Sequence, residues 1–190
     1  MVKRLILPAL LAAFAAPASS PLPSPLPAGE PAVRPQYNLD GALRRPADVD
    51  RWIVVGTSLG LGYSDATEDG PGMFHRVYLE PTAYDHYRET GRFRDGTMLA
   101  LVIRRPSRRV PPSRAGWTEG ELAAVEMAVK DSARFDGAWA YFDFGRAATR
   151  ARALPASRCQ ACHAEHAAKD NVFLQFYPTL RHLSPRGSGQ

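Results

Sequence analysis

The pentapeptide Cys159-Gln160-Ala161-Cys162-His163 contains both cysteines of the chain and one of its five histidines. Two thiols spaced by two residues, with an imidazole directly after the second, suit covalent attachment of a haem. Each thiol adds across one vinyl group to leave a thioether, and the imidazole falls beneath the iron as an axial ligand. Both cysteines are then used, which removes any disulfide framework. Two other chemistries draw on the same residue types. A zinc ion would recruit Cys159, Cys162, His163 and His166, but a tetrahedral ion rarely takes side chains from adjacent residues, and no second ligand pair stands nearby in the sequence. A thioredoxin-like redox pair sits after a strand in a βαβ unit, whereas an alanine-rich, helix-favouring stretch surrounds these cysteines. The expected cofactor is one haem c, held by Cys159 and Cys162, with His163 as the axial iron ligand.

Haem of this kind is attached outside the bacterial cytoplasm, so an export signal is expected. Lys3 and Arg4 form a positive start, Leu5 to Ala16 is an apolar run too short to span a bilayer, and Ala16-Pro17-Ala18 supplies a small-residue cleavage site. Residues 1–18 are read as a signal peptide cleaved after Ala18, giving a periplasmic chain with no membrane span. The following residues 19–36 hold Pro21, Pro23, Pro25, Pro27, Pro31 and Pro35 and read as an extended linker without a core. The folded domain is expected over residues 37–185, with a frayed tail at 186–190.

The formal charge is +5, and only Lys3, Lys130 and Lys169 among its 24 basic residues are lysines. Arg104, Arg105, Arg108 and Arg109 cluster in a proline-containing loop, a pattern open to a solvated rim, a propionate contact or a docking face for an acidic redox partner. The lack of a basic helix or an aromatic-basic strand motif argues against nucleic acid.

The elements that must position the haem motif follow from periodicity. Trp52 to Val55, His75 to Leu79, Thr97 to Ile103, Trp139 to Phe144 and Val172 to Tyr177 concentrate β-branched and aromatic residues and read as strands. Pro81 to Thr90 reads as a short helix with proline in its first turn and Gly91 as its stop, bearing Tyr84 and Tyr87 on one face. A longer helix is expected from Thr118, where Glu121 completes a capping box and Leu122, Val125 and Val129 recur at helical spacing. A third helix, from about Ala147 to Ala168 with a break near Pro155, would carry the haem motif at the C-terminal end. The class is α+β, a mainly antiparallel β-sheet domain with a few packed helices. A small electron-transfer cytochrome would place its motif near the N-terminus and find a methionine ligand downstream, but no methionine follows His163. The strand runs also oppose a four-helix bundle.

Four segments then carry a resemblance: Phe74-His75-Arg76-Val77-Tyr78-Leu79-Glu80-Pro81, Thr90-Gly91-Arg92-Phe93-Arg94-Asp95-Gly96-Thr97, Val129-Lys130-Asp131-Ser132-Ala133-Arg134-Phe135 and Phe173-Leu174-Gln175-Phe176-Tyr177-Pro178. In this order, from about Tyr37 to Leu183, the chain resembles the cytochrome P-460 family. The resemblance implies a mainly β fold, a homodimer, and a periplasmic five-coordinate c-haem with an open distal side. One branch of that family oxidises hydroxylamine with a haem crosslinked to a lysine. The other, the beta-type cytochromes c-prime, lacks the bond and binds gases such as nitric oxide. The crosslinking position, on the strand after the Asp-Gly-Thr turn, matches Leu101, and no lysine occurs between Lys3 and Lys130. The chain is therefore closer to the uncrosslinked branch, with nitric oxide, carbon monoxide or another small nitrogen-oxide ligand expected, or electron transfer to a partner cytochrome. Hydroxylamine oxidation is the alternative.

Distal candidates follow from the same reading. Alternation along Trp139 to Phe144 puts Ala140, Phe142 and Phe144 on one face and Trp139, Tyr141 and Asp143 on the other, and either face could cap the haem. A lid of Phe142 and Phe144 would favour apolar diatomics, and an inward Asp143 would relay protons. In the plainer alternative the aromatics are core and Asp143 anchors a loop. The resemblance implies a place for His75 near the distal pocket, as a hydrogen-bond donor or sixth ligand. Arg76 and Arg104 are candidate propionate partners, equally suited to the surface.

Overall fold

Alternating apolar residues lay down a five-stranded antiparallel sheet in which chain order and spatial order coincide. The computed structural model describes residues 33–62 and 70–183. The strands are β2 (Ile53–Leu59), β3 (Phe74–Leu79), β4 (Met98–Ser107), β5 (Thr118–Lys130) and β6 (Trp139–Asp143), paired in the order β2-β3-β4-β5-β6. A separate two-stranded ladder joins β1 (Leu43–Arg44) to β7 (Arg150–Ala151). With three helices, α1 (Pro81–Thr90), α2 (Gln160–His166) and α3 (Pro178–Arg181), the class is α+β with a mainly antiparallel sheet, as expected. These residues belong to one compact unit, Pro31–Gln190. The signal peptide, most of the proline-rich linker and the C-terminal tail expected from the sequence lie outside the described residues.

The period of two along each strand divides the apolar residues between two cores. One face gathers Tyr78, Met98, Ala100, Val125, Met127, Val129, Ala140 and Phe142, closed by Leu43, Trp52 and Phe144. Tyr37, Phe135 and Phe142 meet there with ring centroids 6.1–6.4 Å apart. The other face gathers Leu79, Leu99, Trp139 and Tyr141, covered by Ala83 and Tyr87 of α1 and by Val172, Leu174 and Leu180 of the C-terminal segment. Each such fully buried large side chain contributes roughly 1.5–3 kcal/mol relative to exposure.

Helix α1 forms as the sequence suggests, with Pro81 in the first turn and Gly91, at φ 67°, as its left-handed stop. Its cap is Glu80, only 2% exposed, whose carboxylate accepts hydrogen bonds from Thr82 N at 3.0 Å, Ala83 N at 2.8 Å and Thr82 Oγ1 at 2.7 Å. These bonds satisfy amides at the helix start that have no partner within the helix.

Four sequence expectations are corrected. Arg104 and Arg105 lie on strand β4 rather than in a loop, and only Arg108 and Arg109 stand beyond its end. Thr118 to Lys130 is strand β5, not a helix, and it sits centrally between β4 and β6. Val125, Met127 and Val129 alternate buried with less buried neighbours, so the period is two; Leu122, Val125 and Val129 also fit a helical spacing because alanines and other apolar residues fill both alternating sets between Leu122 and Val129. The third helix shrinks to Gln160–His166: residues 150 and 151 are strand β7, and Ala153 bridges to Phe142. Val172 to Tyr177 is not a strand either. Val172 pairs only with Lys169 in a local bridge, and Leu174–Phe176 forms one 3-10 turn packed against β2.

Candidate functional site

Helix α2 brings the motif together. Cys159 stands at its N-terminal boundary and Cys162 and His163 lie within it, while Gln160 ties the helix to the β5–β6 connection by donating to the Asp136 carbonyl at 2.8 Å. At the other end Gln175 donates to His166 O at 2.9 Å and accepts from Ala168 N at 3.1 Å, closing the loop that follows the helix.

The His163 ring lies between Tyr141 of β6 and Phe173, with both centroids 4.4 Å away. Its Nδ1 is 2.8 Å from the Asn171 carbonyl oxygen. A carbonyl only accepts, so Nδ1 carries the hydrogen and Nε2 keeps its lone pair. Burial pushes the His163 pKa below its ordinary value, with the Asn171 bond opposing part of that shift. The ring is therefore a neutral imidazole at neutral pH with Nε2 as a free donor. Cys159 is half-buried, and burial, reinforced by Glu126, raises its thiol above the ordinary cysteine value.

These groups border a cleft holding about 910 Å³ of empty space including its mouth. Its walls include Gly56 and Ser58 of β2, His75 and Val77 of β3, Leu101 of β4, Glu126 of β5 and Tyr141 of β6. Gly56 is required: a Cβ there would lie 2.7 Å from the Tyr177 ring and 2.8 Å from Phe176 O, so its absence lets the 3-10 turn close onto the strand. The Tyr141 hydroxyl is buried and has no hydrogen-bond partner among the described residues. A buried polar atom of this kind ordinarily has a partner, which a bound group at the cleft would supply. Cys159 and His163 border the cleft, while Cys162 is half-buried on α2 and is not among the lining residues; two thiols on one short helix and an imidazole with free Nε2 at an apolar cleft fit a covalently held haem.

Not every expected residue converges. His75 and Leu101 do border the cleft together with His163. Burial holds His75 below the ordinary imidazole value. Phe142 reaches the cleft margin, but its ring packs with Tyr37 and Phe135, and Phe144 is buried in the same opposite core. Of the two phenylalanines expected as a lid only Phe142 reaches the cleft, whose wall also carries the rings of Tyr141, Phe173, Phe176 and Tyr177. Asp143 is exposed and accepts from Gly145 N at 2.7 Å, the loop-anchoring arrangement rather than an inward relay. Arg76 and Arg104 do not border the cleft; both contact Glu119, at 2.7 and 3.7 Å. His166 pairs with neighbouring Glu165 at 3.7 Å. Among the described residues no three His, Cys, Asp or Glu side chains form a metal-holding group.

Glu126 was missed. It lines the cleft, and burial first, then the Asp143 carboxylate, raise its pKa against the pull of Arg158. Alternation with Val125 and Met127 would have exposed it, had β5 been read with a period of two.

The family model for cytochrome P460 matches residues 46–174, a span from before β2 to beyond the cysteine motif. The chain belongs to the cytochrome P460 family. No curated protein matches it. Membership in the cytochrome P460 family makes the chain a monohaem cytochrome. Within this cytochrome, the residues whose chemistry suits the haem are those at the start and middle of α2.

Proposed function

We propose that the chain is a periplasmic c-type cytochrome in which Cys159 and Cys162 hold one haem covalently and His163 supplies the axial iron ligand. The observation that carries this reading is the engagement of His163 Nδ1 by the Asn171 carbonyl, which leaves Nε2 as the ligating atom beside two free thiols. The haem, when bound, supplies an iron that takes a diatomic gas or exchanges one electron. The protein side of the cleft fits the first role. Val77, Leu99, Leu101, Phe173 and Phe176 make its wall largely apolar, which excludes water and favours nitric oxide or carbon monoxide. Leu101 occupies the position of the family's crosslinking lysine, and Lys130 is committed elsewhere, with Nζ 3.0 Å from Phe93 O and 2.6 Å from Asp170 Oδ2. A red-ox partner cytochrome, a homodimer and export through residues 1–18 complete the reading.

Glu126 favours one second reading, oxidation of hydroxylamine or a related small nitrogen compound. A cleft-lining carboxyl with a raised pKa is a stronger base than an exposed one and can accept a proton from a bound nitrogen. The test of the proposal is to express the chain with its export signal in a host that matures c-type haem and extract with acid acetone. Haem is expected to remain with the wild-type protein and to leave the Cys159→Ala, Cys162→Ala variant. Haem retained by the double variant would overturn the attachment.

A further inference from the structure

The carbonyl that engages His163 belongs to a loop whose backbone is unusual. Asp170 and Asn171 are consecutive, neither is glycine, and both have positive φ, 48° and 57°. Two left-handed residues in succession persist where the surroundings hold them. Here the holding is visible. Asp170 Oδ2 accepts from Lys130 Nζ at 2.6 Å, and Asp170 Oδ1 accepts from Trp139 Nε1 at 3.1 Å, so both carboxylate oxygens are engaged. The two donors are direct cross-strand partners, Lys130 closing β5 and Trp139 opening β6. They are rigid in turn: Trp139 is 1% exposed, and Lys130 Nζ also donates to Phe93 O at 3.0 Å. The Lys130 side chain is only 17% exposed, so its pair with Asp170 is shielded from solvent more than an ordinary surface ion pair.

We propose that Asp170, clamped between Lys130 and Trp139, is a positioning residue that holds the Asn171 carbonyl on His163 Nδ1 and thereby sets the electron-donating strength of the imidazole. The inference rests on the proposed role of His163 as iron ligand and adds what tunes it. A hydrogen bond accepted from Nδ1–H makes the imidazole a stronger base at Nε2, which favours ferric over ferrous iron. Breaking the clamp frees the left-handed pair, lets the Asn171 carbonyl leave Nδ1, and weakens that donation. Lys130 thereby gains a role at the haem from the far side of the loop, without entering the cleft.

The experiment uses the matured holoprotein and the variants Asp170→Asn, Lys130→Met, Lys130→Arg and Trp139→Phe. Arg152→Ala, which breaks the exposed pair with Asp40, serves as a control. Haem content by pyridine haemochrome comes first; wild-type protein without covalent haem would defeat the proposed function. In that event the clamp is read on the haem-free chain from the ¹⁵N spectrum of His163. The wild type should show the Nδ1-protonated tautomer and Asp170→Asn should lose that preference. With haem attached, Asp170→Asn, Lys130→Met and Trp139→Phe are expected to raise the reduction potential. The ferrous iron–histidine Raman band should shift to lower frequency in the same variants. Lys130→Arg and Arg152→Ala should stay near wild type. Lys130→Met removes the ammonium and keeps a side chain of similar length, so it carries the test should Asp170→Asn fail to mature, whereas Trp139→Phe removes the N–H donor together with part of a buried ring. Potential and Raman band both unchanged in Trp139→Phe and Lys130→Met, even with lowered thermal stability, would reduce Asp170 to a structural role and overturn the inference.

Discussion

Leu101 and Glu126 are direct partners across the β4–β5 ladder, and both border the cleft that receives His163. An aliphatic side chain stands where the resemblance would set a lysine, and a carboxyl stands beside it. The pairing gives the cleft one apolar and one titratable neighbour at adjacent strand positions.

The carboxyl makes stability depend on pH in a defined direction. Burial and the Asp143 carboxylate raise Glu126 above its ordinary value of 4.5, against Arg158. The folded chain therefore binds this proton more tightly than the unfolded chain. The resulting stabilisation is fully present below the ordinary value and is lost as pH rises through the raised folded value. Glu126→Gln should flatten that part of the curve of melting temperature against pH. A slope identical to wild type would show that Glu126 does not titrate in this way.

Glu80 offers a prediction free of the cofactor. Glu80→Ala leaves the Thr82 and Ala83 amides of α1 without their acceptor in a buried setting, a loss of roughly 1–3 kcal/mol. Urea unfolding should show the midpoint falling with the slope unchanged. Glu80→Gln, which keeps one acceptor oxygen, should fall less.

Gly56 is the third test. Gly56→Ala places a methyl against Phe176 O and the Tyr177 ring, so the turn must move away from β2, at a cost of about 1–3 kcal/mol. Because Phe176 and Tyr177 line the cleft, the haem spectrum should change along with stability. A destabilised protein with an unaltered spectrum would separate this turn from the haem environment.

Legibility in the sequence followed the strength of local signals. Pro81 and Gly91 marked both ends of α1 because proline and glycine restrict backbone at those positions independently of tertiary contacts. Strands β2, β3, β4 and β6 were readable from β-branched and aromatic runs. Strand β5 was not, because Ala123, Ala124 and Ala128 favour a helix locally; the demand of β4 and β6 for a strand between them decides otherwise, and sequence does not display that demand. Misreading β5 hid Glu126. Val172 to Tyr177 looked like a strand by composition, yet its apolar residues serve to cover the sheet from a loop. Cys159, Cys162 and His163 stood out because their chemistry is encoded in adjacent residues. The Asn171 carbonyl was invisible, since a backbone group carries no residue signal.

The central claim is an uncrosslinked haem on Cys159 and Cys162, ligated by His163 and open to gas on the other side. It is tested most directly by the optical spectrum of the reduced, periplasmically matured protein before and after addition of nitric oxide. The account predicts an ordinary high-spin c-type spectrum that shifts when nitric oxide binds. A strongly red-shifted Soret band before any addition would mean a modified haem and contradict the reading of Leu101, and a low-spin spectrum indifferent to nitric oxide would contradict the open site.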